Sequence, residues 1–158
     1  MTEVAATTRQ LSVRGAALAA ALRERGAADG EPEQGLVLDL HDADPTSWPQ
    51  LEELLVDAYV LSKRAFAAAA PVVYVLDEAS LYGHRSPLRA MLATGLLGGV
   101  RSLAAEGSRD GLAANAVTFD DPSQLDFVAE SALWLLSQPG ASGQVHHCGS
   151  AHLGRPAA

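Results

Sequence analysis

The sequence predicts a single α/β domain in which a parallel sheet of about five strands lies between layers of helices. Two short apolar runs, at 36–40 (LVLDL) and 72–76 (VVYVL), are typical of strands buried on both faces of a sheet. Longer segments with apolar residues at helical spacing follow them. Strands that alternate with helices in this way form parallel sheets, which favours a truncated Rossmann or flavodoxin-like three-layer domain.

The N-terminal half contains two predicted strands and two predicted helices. A short strand at 9–13 precedes an alanine-rich helix at 15–25, which carries arginine in its last turn and is followed by glycine. Residues 27–34 hold glycine and proline and are predicted as a loop. The strand at 36–40 leads into a long helix, from about residue 48 to 69, which has one apolar face and stops before a proline.

The C-terminal half repeats the alternation. The β-branched and aromatic strand at 72–76 is followed by a predicted loop at 77–87 and an amphipathic helix at 88–106. A strand is predicted at 113–118. Asp121 and Pro122 have the character of a helix cap and first helical residue, and they open a helix that extends to residue 137.

A last short strand at 144–147 completes a single domain over 9–150, with a frayed segment at 1–8 and a flexible tail at 151–158. The chain has 158 residues, which suits one hydrophobic core. Its net charge of −8 argues against binding to nucleic acid or anionic membranes. The one cysteine, Cys148, cannot form an internal disulfide, so a cytoplasmic location is expected.

Three phrases in the second half occur in a recognisable order. They are GGVRSLAAE at 98–106, GLAANAV at 111–117 and SGQV at 142–145. In this order and separation they resemble the C-terminal half of the short-chain dehydrogenase/reductases. The resemblance implies a nucleotide-binding α/β fold, and it covers about half of the chain well.

The catalytic groups of that family are missing at the matching positions. Counting back from Arg101, the family's lysine falls at Ala93 and its tyrosine at Arg89, while its serine falls near Leu76 or Asp77. The family's asparagine falls near Leu54, and the chain's single lysine and single asparagine are at positions 63 and 115. Without the tyrosine and lysine, hydride transfer lacks its general acid. The resemblance therefore implies a non-catalytic protein.

The expected cofactor loop also departs from the family's pattern. The family's glycine-rich turn is represented by Arg14-Gly15-Ala16-Ala17, and its Asn-Asn-Ala-Gly by His41-Asp42-Ala43-Asp44, whose carboxylates would repel phosphate. No cofactor is therefore expected. The chain is similar to the catalytically silent N-terminal domain of high-molecular-weight 3-oxoacyl-ACP reductases. That similarity implies a scaffold or partner subunit, either a homodimer or a hetero-oligomer with a catalytic reductase.

Several residues are predicted to contact another chain through the helices at 51–66 and 88–103. Three glycines in one helix suggest that a second backbone approaches closely, and in the resembling family this helix packs against its twofold mate. The alternative is ordinary packing on the chain's own sheet. The candidate interface residues are Gly95, Gly98, Gly99, Leu92, Leu96, Tyr59 and Trp134.

Two further groups of polar residues were considered as sites of chemistry. Asp77, Tyr82 and His84 follow the central strand, at the edge where open α/β sheets bind ligands. They allow a repurposed isomerase, lyase or residual reductase, a small-molecule binding module, or simply a polar surface loop. The second group comprises His146, His147, Cys148 and His152. Since neighbouring residues of a strand point to opposite faces, no metal site is predicted there.

Overall fold

A computed structural model describes residues 9–138 and 140–149, which contain six strands. These are β1 (Arg9–Arg14), β2 (Ala27–Asp29), β3 (Leu36–Asp39), β4 (Val72–Asp77), β5 (Ala114–Phe119) and β6 (Val145–His147). They form one sheet in the order β2-β1-β3-β4-β5-β6, and every neighbouring pair is parallel. This is the flavodoxin-like order with one strand added, so the chain reverses direction across the sheet between β1 and β3.

Five α-helices accompany the sheet: α1 (Ala16–Glu24), α2 (Trp48–Ala67), α3 (Glu78–Leu81), α4 (Pro87–Gly107) and α5 (Leu125–Leu136). The pair α2 and α4 packs on one face of the sheet, and the pair α1 and α5 packs on the other. The structure therefore confirms the predicted three-layer α/β domain. No helix within the described ranges is long and apolar enough to cross a bilayer.

Alternate residues of the central strands pack into two separate hydrophobic cores, one on each face of the sheet. Along β4, Val72, Tyr74 and Leu76 face α2 and α4, while Val73 and Val75 face α1 and α5. Every residue of β3, β4 and β5 is buried, which explains why these strands read as nearly continuous apolar runs. Each fully buried aliphatic side chain stabilises the fold by about 1.5–3 kcal/mol.

The structure differs from the sequence-based elements in two places. The segment predicted as a loop at 27–34 begins with β2, an edge strand that pairs with β1 from Arg9↔Ala27 to Leu11↔Asp29. Its three residues lack β-branched side chains, so only pairing with β1 defines it. The loop predicted at 77–87 contains α3, because the Asp77 carboxylate accepts a hydrogen bond from the Ser80 amide at 2.9 Å and caps a helical turn.

The remaining boundaries agree within a few residues. The main exception is the last helix, where a 3-10 turn at Pro122–Gln124 precedes α5. Asp121 caps that turn, as predicted, by accepting a hydrogen bond from the Ser123 amide at 2.8 Å. The segments 1–8 and 151–158, for which a frayed terminus and a flexible tail were predicted, lie outside the described residues.

Candidate functional site

Polar side chains converge at the carboxyl edge of the sheet, where the parallel strands end together. They form two clusters on neighbouring strand ends. The switch-point cluster, at the ends of β1, β3 and β4, consists of Asp39, His41, Asp77 and Arg89, and Asp39 lies against Gly15. The Glu78 cluster, at the ends of β4, β5 and β6, consists of Glu78, Tyr82, Thr118 and His147.

Asp39 lies directly against the turn that joins β1 to α1. Gly15 occupies this turn with a φ of +112°, and a Cβ on it would lie 2.6 Å from the Asp39 Oδ2. Only glycine tolerates both the backbone conformation and the contact. The Asp39 carboxylate is 4% exposed, so it fills the space over the N-terminus of α1, where dinucleotide-binding folds place a pyrophosphate.

His41 holds this carboxylate in place. Its Nδ1 lies 2.6 Å from the Asp39 Oδ1, and its ring centroid lies 4.5 Å from that of Phe119. Burial lowers the pKa of His41, but the hydrogen bond that the ring donates to Asp39 and the charges of Asp39, Asp42 and Asp77 outweigh it, so the pKa is raised above its ordinary value. The turn after β3 is therefore tied to the strand end by a strong polar contact.

Asp77 faces arginines rather than open solvent. Its Oδ2 lies 3.6 Å from the Arg89 Nη2 and 3.4 Å from the Arg85 Nε, and Asp77 itself is buried. Arg89 also donates a hydrogen bond to the His41 carbonyl oxygen at 2.9 Å. The cavity between β4 and α4 at this point measures only about 10 Å³, which holds at most one water molecule.

The Glu78 cluster joins three strand ends through one carboxyl group. The Glu78 Oε1 lies 2.7 Å from the His147 Nδ1, 3.2 Å from the Thr118 Oγ1 and 3.3 Å from the Tyr82 hydroxyl. Glu78 is fully buried, and its Oε2 forms no hydrogen bond with the described residues. Burial, followed by the charge and hydrogen bond of Glu78, raises the pKa of Tyr82, so its phenol stays protonated at neutral pH.

The structure places the three predicted candidates of the 77–87 segment in different surroundings. Asp77 faces the arginines, whereas the Tyr82 hydroxyl contacts Glu78. His84 is exposed, with its ring centroid 6.1 Å from that of Tyr82. The fold therefore does not bring them together as one acid–base group.

The sequence-based prediction missed the contacts of Glu78 with His147 and Thr118. A sequence signal for these contacts exists, because Thr118 and His147 are opposite each other near the ends of the adjacent parallel strands β5 and β6. Polar residues at neighbouring strand ends meet at one edge.

The C-terminal histidines point in opposite directions, as predicted from strand alternation. His147 contacts Glu78, while the ring centroid of His146 lies 6.0 Å from that of Phe127 on α5. Cys148 is buried against Ser131, and burial raises the pKa of its thiol. Within residues 9–138 and 140–149, no group of three metal-ligating side chains is arranged to hold an ion, and His152 lies outside these ranges.

The outer surface of α2 and α4 carries the largest exposed apolar side chains on that side of the domain. We call it the α2–α4 surface; its exposed members are Trp48, Val56, Tyr59, Val60 and Met91. A cavity of about 350 Å³ lies between the two helices, and a groove of about 430 Å³ runs along α2. Tyr59, which is 64% exposed, borders both.

The candidate interface residues occupy four different environments. Leu92 and Leu96 are buried in the domain's own core, so they support the α2–α4 surface from beneath. Gly95 and Gly99 line the cavity between the helices. A Cβ added to Gly95 would lie 3.4 Å from Leu55 Cδ2, and one added to Gly99 would lie 3.9 Å from Tyr74 Cε2. A Cβ on Gly98 would meet no described atom within 4 Å. Trp134 is 55% exposed on α5, in the opposite helical layer.

No protein-family profile and no curated protein matches the sequence. Solved structures do match the fold. A short-chain dehydrogenase/reductase from Serratia marcescens superposes with a TM-score of 0.63 at 11% identity, over 90% of this chain and 96% of that one. The protein BdcA from E. coli superposes with a TM-score of 0.61 at 18% identity, over 90% of this chain and 99% of that one. The chain thus has a fold like that of the short-chain dehydrogenase/reductases.

Proposed function

We propose that this protein is a non-catalytic subunit with a reductase-like fold. It assembles through the α2–α4 surface, either with a second copy of itself or with an active ketoreductase-type enzyme. Its role is to stabilise that partner or shape the partner's acyl-substrate site. The observation that carries the proposal is that the chain's own side chains fill the sheet edge at which this fold would bind a cofactor.

The filled edge does not fit a nicotinamide dinucleotide. A pyrophosphate at the N-terminus of α1 would meet the buried carboxylate of Asp39 instead of open backbone amides. His41 ties that carboxylate down at 2.6 Å, so moving it aside would break a strong polar contact. The repulsion between carboxylate and phosphate supports the loss of dinucleotide binding at this edge.

The positions that match the family's catalytic groups are also occupied by a structural contact. The tyrosine position is Arg89 and the serine position is near Asp77, and these two side chains approach within 3.6 Å. The lysine position is Ala93, which is buried and carries no charge. The internal cavity beside this ion pair measures only about 10 Å³, which supports a stabilising role for Asp77 and Arg89.

The α2–α4 surface supports assembly. Trp48 and Tyr59, large and amphipathic, are 62% and 64% exposed on the same helix, and aromatic side chains of this kind are enriched in the centres of interfaces. The cavity beside Tyr59 has an apolar floor that includes Leu55 and Phe66. Contiguous apolar surface with concavities is typical of a protein–protein contact.

Solution mass tests this assembly directly. Tyr59→Glu places a carboxylate in the middle of the proposed contact, where an unpaired buried charge costs about 3 kcal/mol or more. We therefore expect light scattering to show the wild-type chain of 16.4 kDa as a dimer or larger species. The Tyr59→Glu substitution should raise the dissociation constant of this species roughly hundredfold.

Trp134→Glu is the matched control, because it adds the same charge at a similarly exposed aromatic residue on α5. It should leave the mass unchanged. If both variants dissociate alike, the contact does not lie on the α2–α4 surface. If the wild-type chain is monomeric alone and does not associate with an intact ketoreductase, the scaffold proposal is wrong.

A further inference from the structure

A second cavity lies on the other side of α4, away from the α2–α4 surface. It measures about 240 Å³ and is enclosed by α3, α4 and β6. Leu81, Leu97 and Val145 form its apolar wall, each from a different element. Apolar walls with a few convergent polar groups are the usual composition of a small-molecule site.

His147 presents a fixed imidazole to this cavity. Its Nδ1 lies 2.7 Å from the Glu78 Oε1 and 2.8 Å from the Thr118 Oγ1, on the buried side of the ring. The Nε2 forms no hydrogen bond with any residue in the described ranges. With Nδ1 engaged by the carboxyl group, Nε2 is the ring nitrogen that remains for a ligand.

Burial of the Glu78 carboxyl group costs free energy of folding. This group is completely buried, and its Oε2 lies beside Gly149, where any added side chain would collide with it. No described residue donates a hydrogen bond to this oxygen. A buried carboxyl with an unsatisfied oxygen calls for an explanation. Its contacts with His147, Thr118 and Tyr82 orient the polar side of the cavity.

Arg101 supplies a positive charge at the same cavity. It is exposed on α4 and forms no hydrogen bond or ion pair with the residues that the structure describes. Most other described arginines, among them Arg23, Arg64 and Arg89, are paired with carboxylates. The guanidinium group of Arg101 can therefore pair with a carboxylate or phosphate that enters the cavity.

We propose that this cavity binds a small organic monoanion, a carboxylate with a short apolar chain. The carboxylate pairs with the Arg101 guanidinium, and the chain packs against Leu81, Leu97 and Val145. A polar group on the ligand, where it has one, lies within reach of the His147 Nε2. This site is independent of the α2–α4 surface, since Thr94, Leu97 and Arg101 lie on a different face of α4 from Gly95 and Gly99.

Titration with sodium butyrate, followed by amide NMR shifts at constant ionic strength, tests the site. Saturable shifts are expected in the segments 94–101 and 145–147. Butyramide, which has the same shape without the charge, should bind about tenfold or more weakly. Arg101→Gln should weaken butyrate binding by the same factor, and Thr94→Phe, an exposed position at the cavity, should block it.

Arg109→Gln is the control, because it removes an exposed arginine that does not line the cavity. It should bind butyrate like the wild type. The proposal is wrong if butyrate gives no saturable shifts, if butyramide binds as tightly as butyrate, or if Arg109→Gln weakens binding as much as Arg101→Gln. A chain that is monomeric alone and does not associate with an intact ketoreductase would contradict the assembly proposal and leave this titration unaffected.

Discussion

At the residue scale, the contact between Gly15 and Asp39 supports the proposed loss of dinucleotide binding. The Asp39 side chain lies 2.6 Å from the position of a Cβ added to residue 15, and the φ of Gly15 is positive. The absence of a side chain on Gly15 therefore leaves space for the Asp39 side chain. Sequence reasoning predicted a damaged cofactor turn, but it attributed the repulsion to the carboxylates of the 41–44 segment.

Gly15→Ala tests this contact. It should lower the free energy of unfolding by more than the roughly 1–2 kcal/mol that a left-handed backbone costs an L-residue, because the new Cβ also collides with Asp39. Urea denaturation measures the change. Gly83→Ala is the control, since Gly83 has a φ of +73° and no described atom within 4 Å of an added Cβ. Equal losses in the two variants would show that Asp39 does not press on this turn.

Among the helices and strands, the fully buried strands are the elements that the sequence predicts best. The strands β3, β4 and β5 were predicted almost to the residue, because burial on both faces leaves apolar residues at every position. The elements β2 and α3 were missed, since the first is fixed by pairing with β1 and the second by the Asp77 cap. Neither of these signals is a periodic apolar pattern.

The helix α4 contains glycines whose surroundings differ, and this predicts opposite effects of the same substitution. Gly98→Ala should stabilise the fold by about 1 kcal/mol, because the position is in a helix interior with open space around it. Gly107→Ala should destabilise it, since the added Cβ would lie 2.7 Å from the Leu112 Cβ.

Both variants are best compared in the Tyr59→Glu background, so that assembly does not contribute to the unfolding free energy. Thermal or urea unfolding of the two proteins gives the result. A loss of stability in Gly98→Ala would mean that this stretch of α4 is in contact with another part of the protein and is not open surface.

At the scale of the whole molecule, the sequence predicts the fold class but not the contacts that form at the carboxyl edge of the sheet. The ion pair of Asp77 with Arg89 and the cluster around Glu78 join residues from distant parts of the chain. No local pattern encodes such contacts, and only the parallel order of the strands places these residues at one edge. The fold thus resembles that of the short-chain dehydrogenase/reductases, and the chain's own side chains pack the carboxyl edge of the sheet.

A fluorescence titration of the purified chain with NADPH tests this central claim most directly. With Asp39 over the N-terminus of α1 and the Asp77–Arg89 pair across the matching catalytic positions, we predict no saturable binding. Saturable binding at micromolar NADPH would contradict the account, because the cofactor edge would then have to open and the protein would be a candidate reductase.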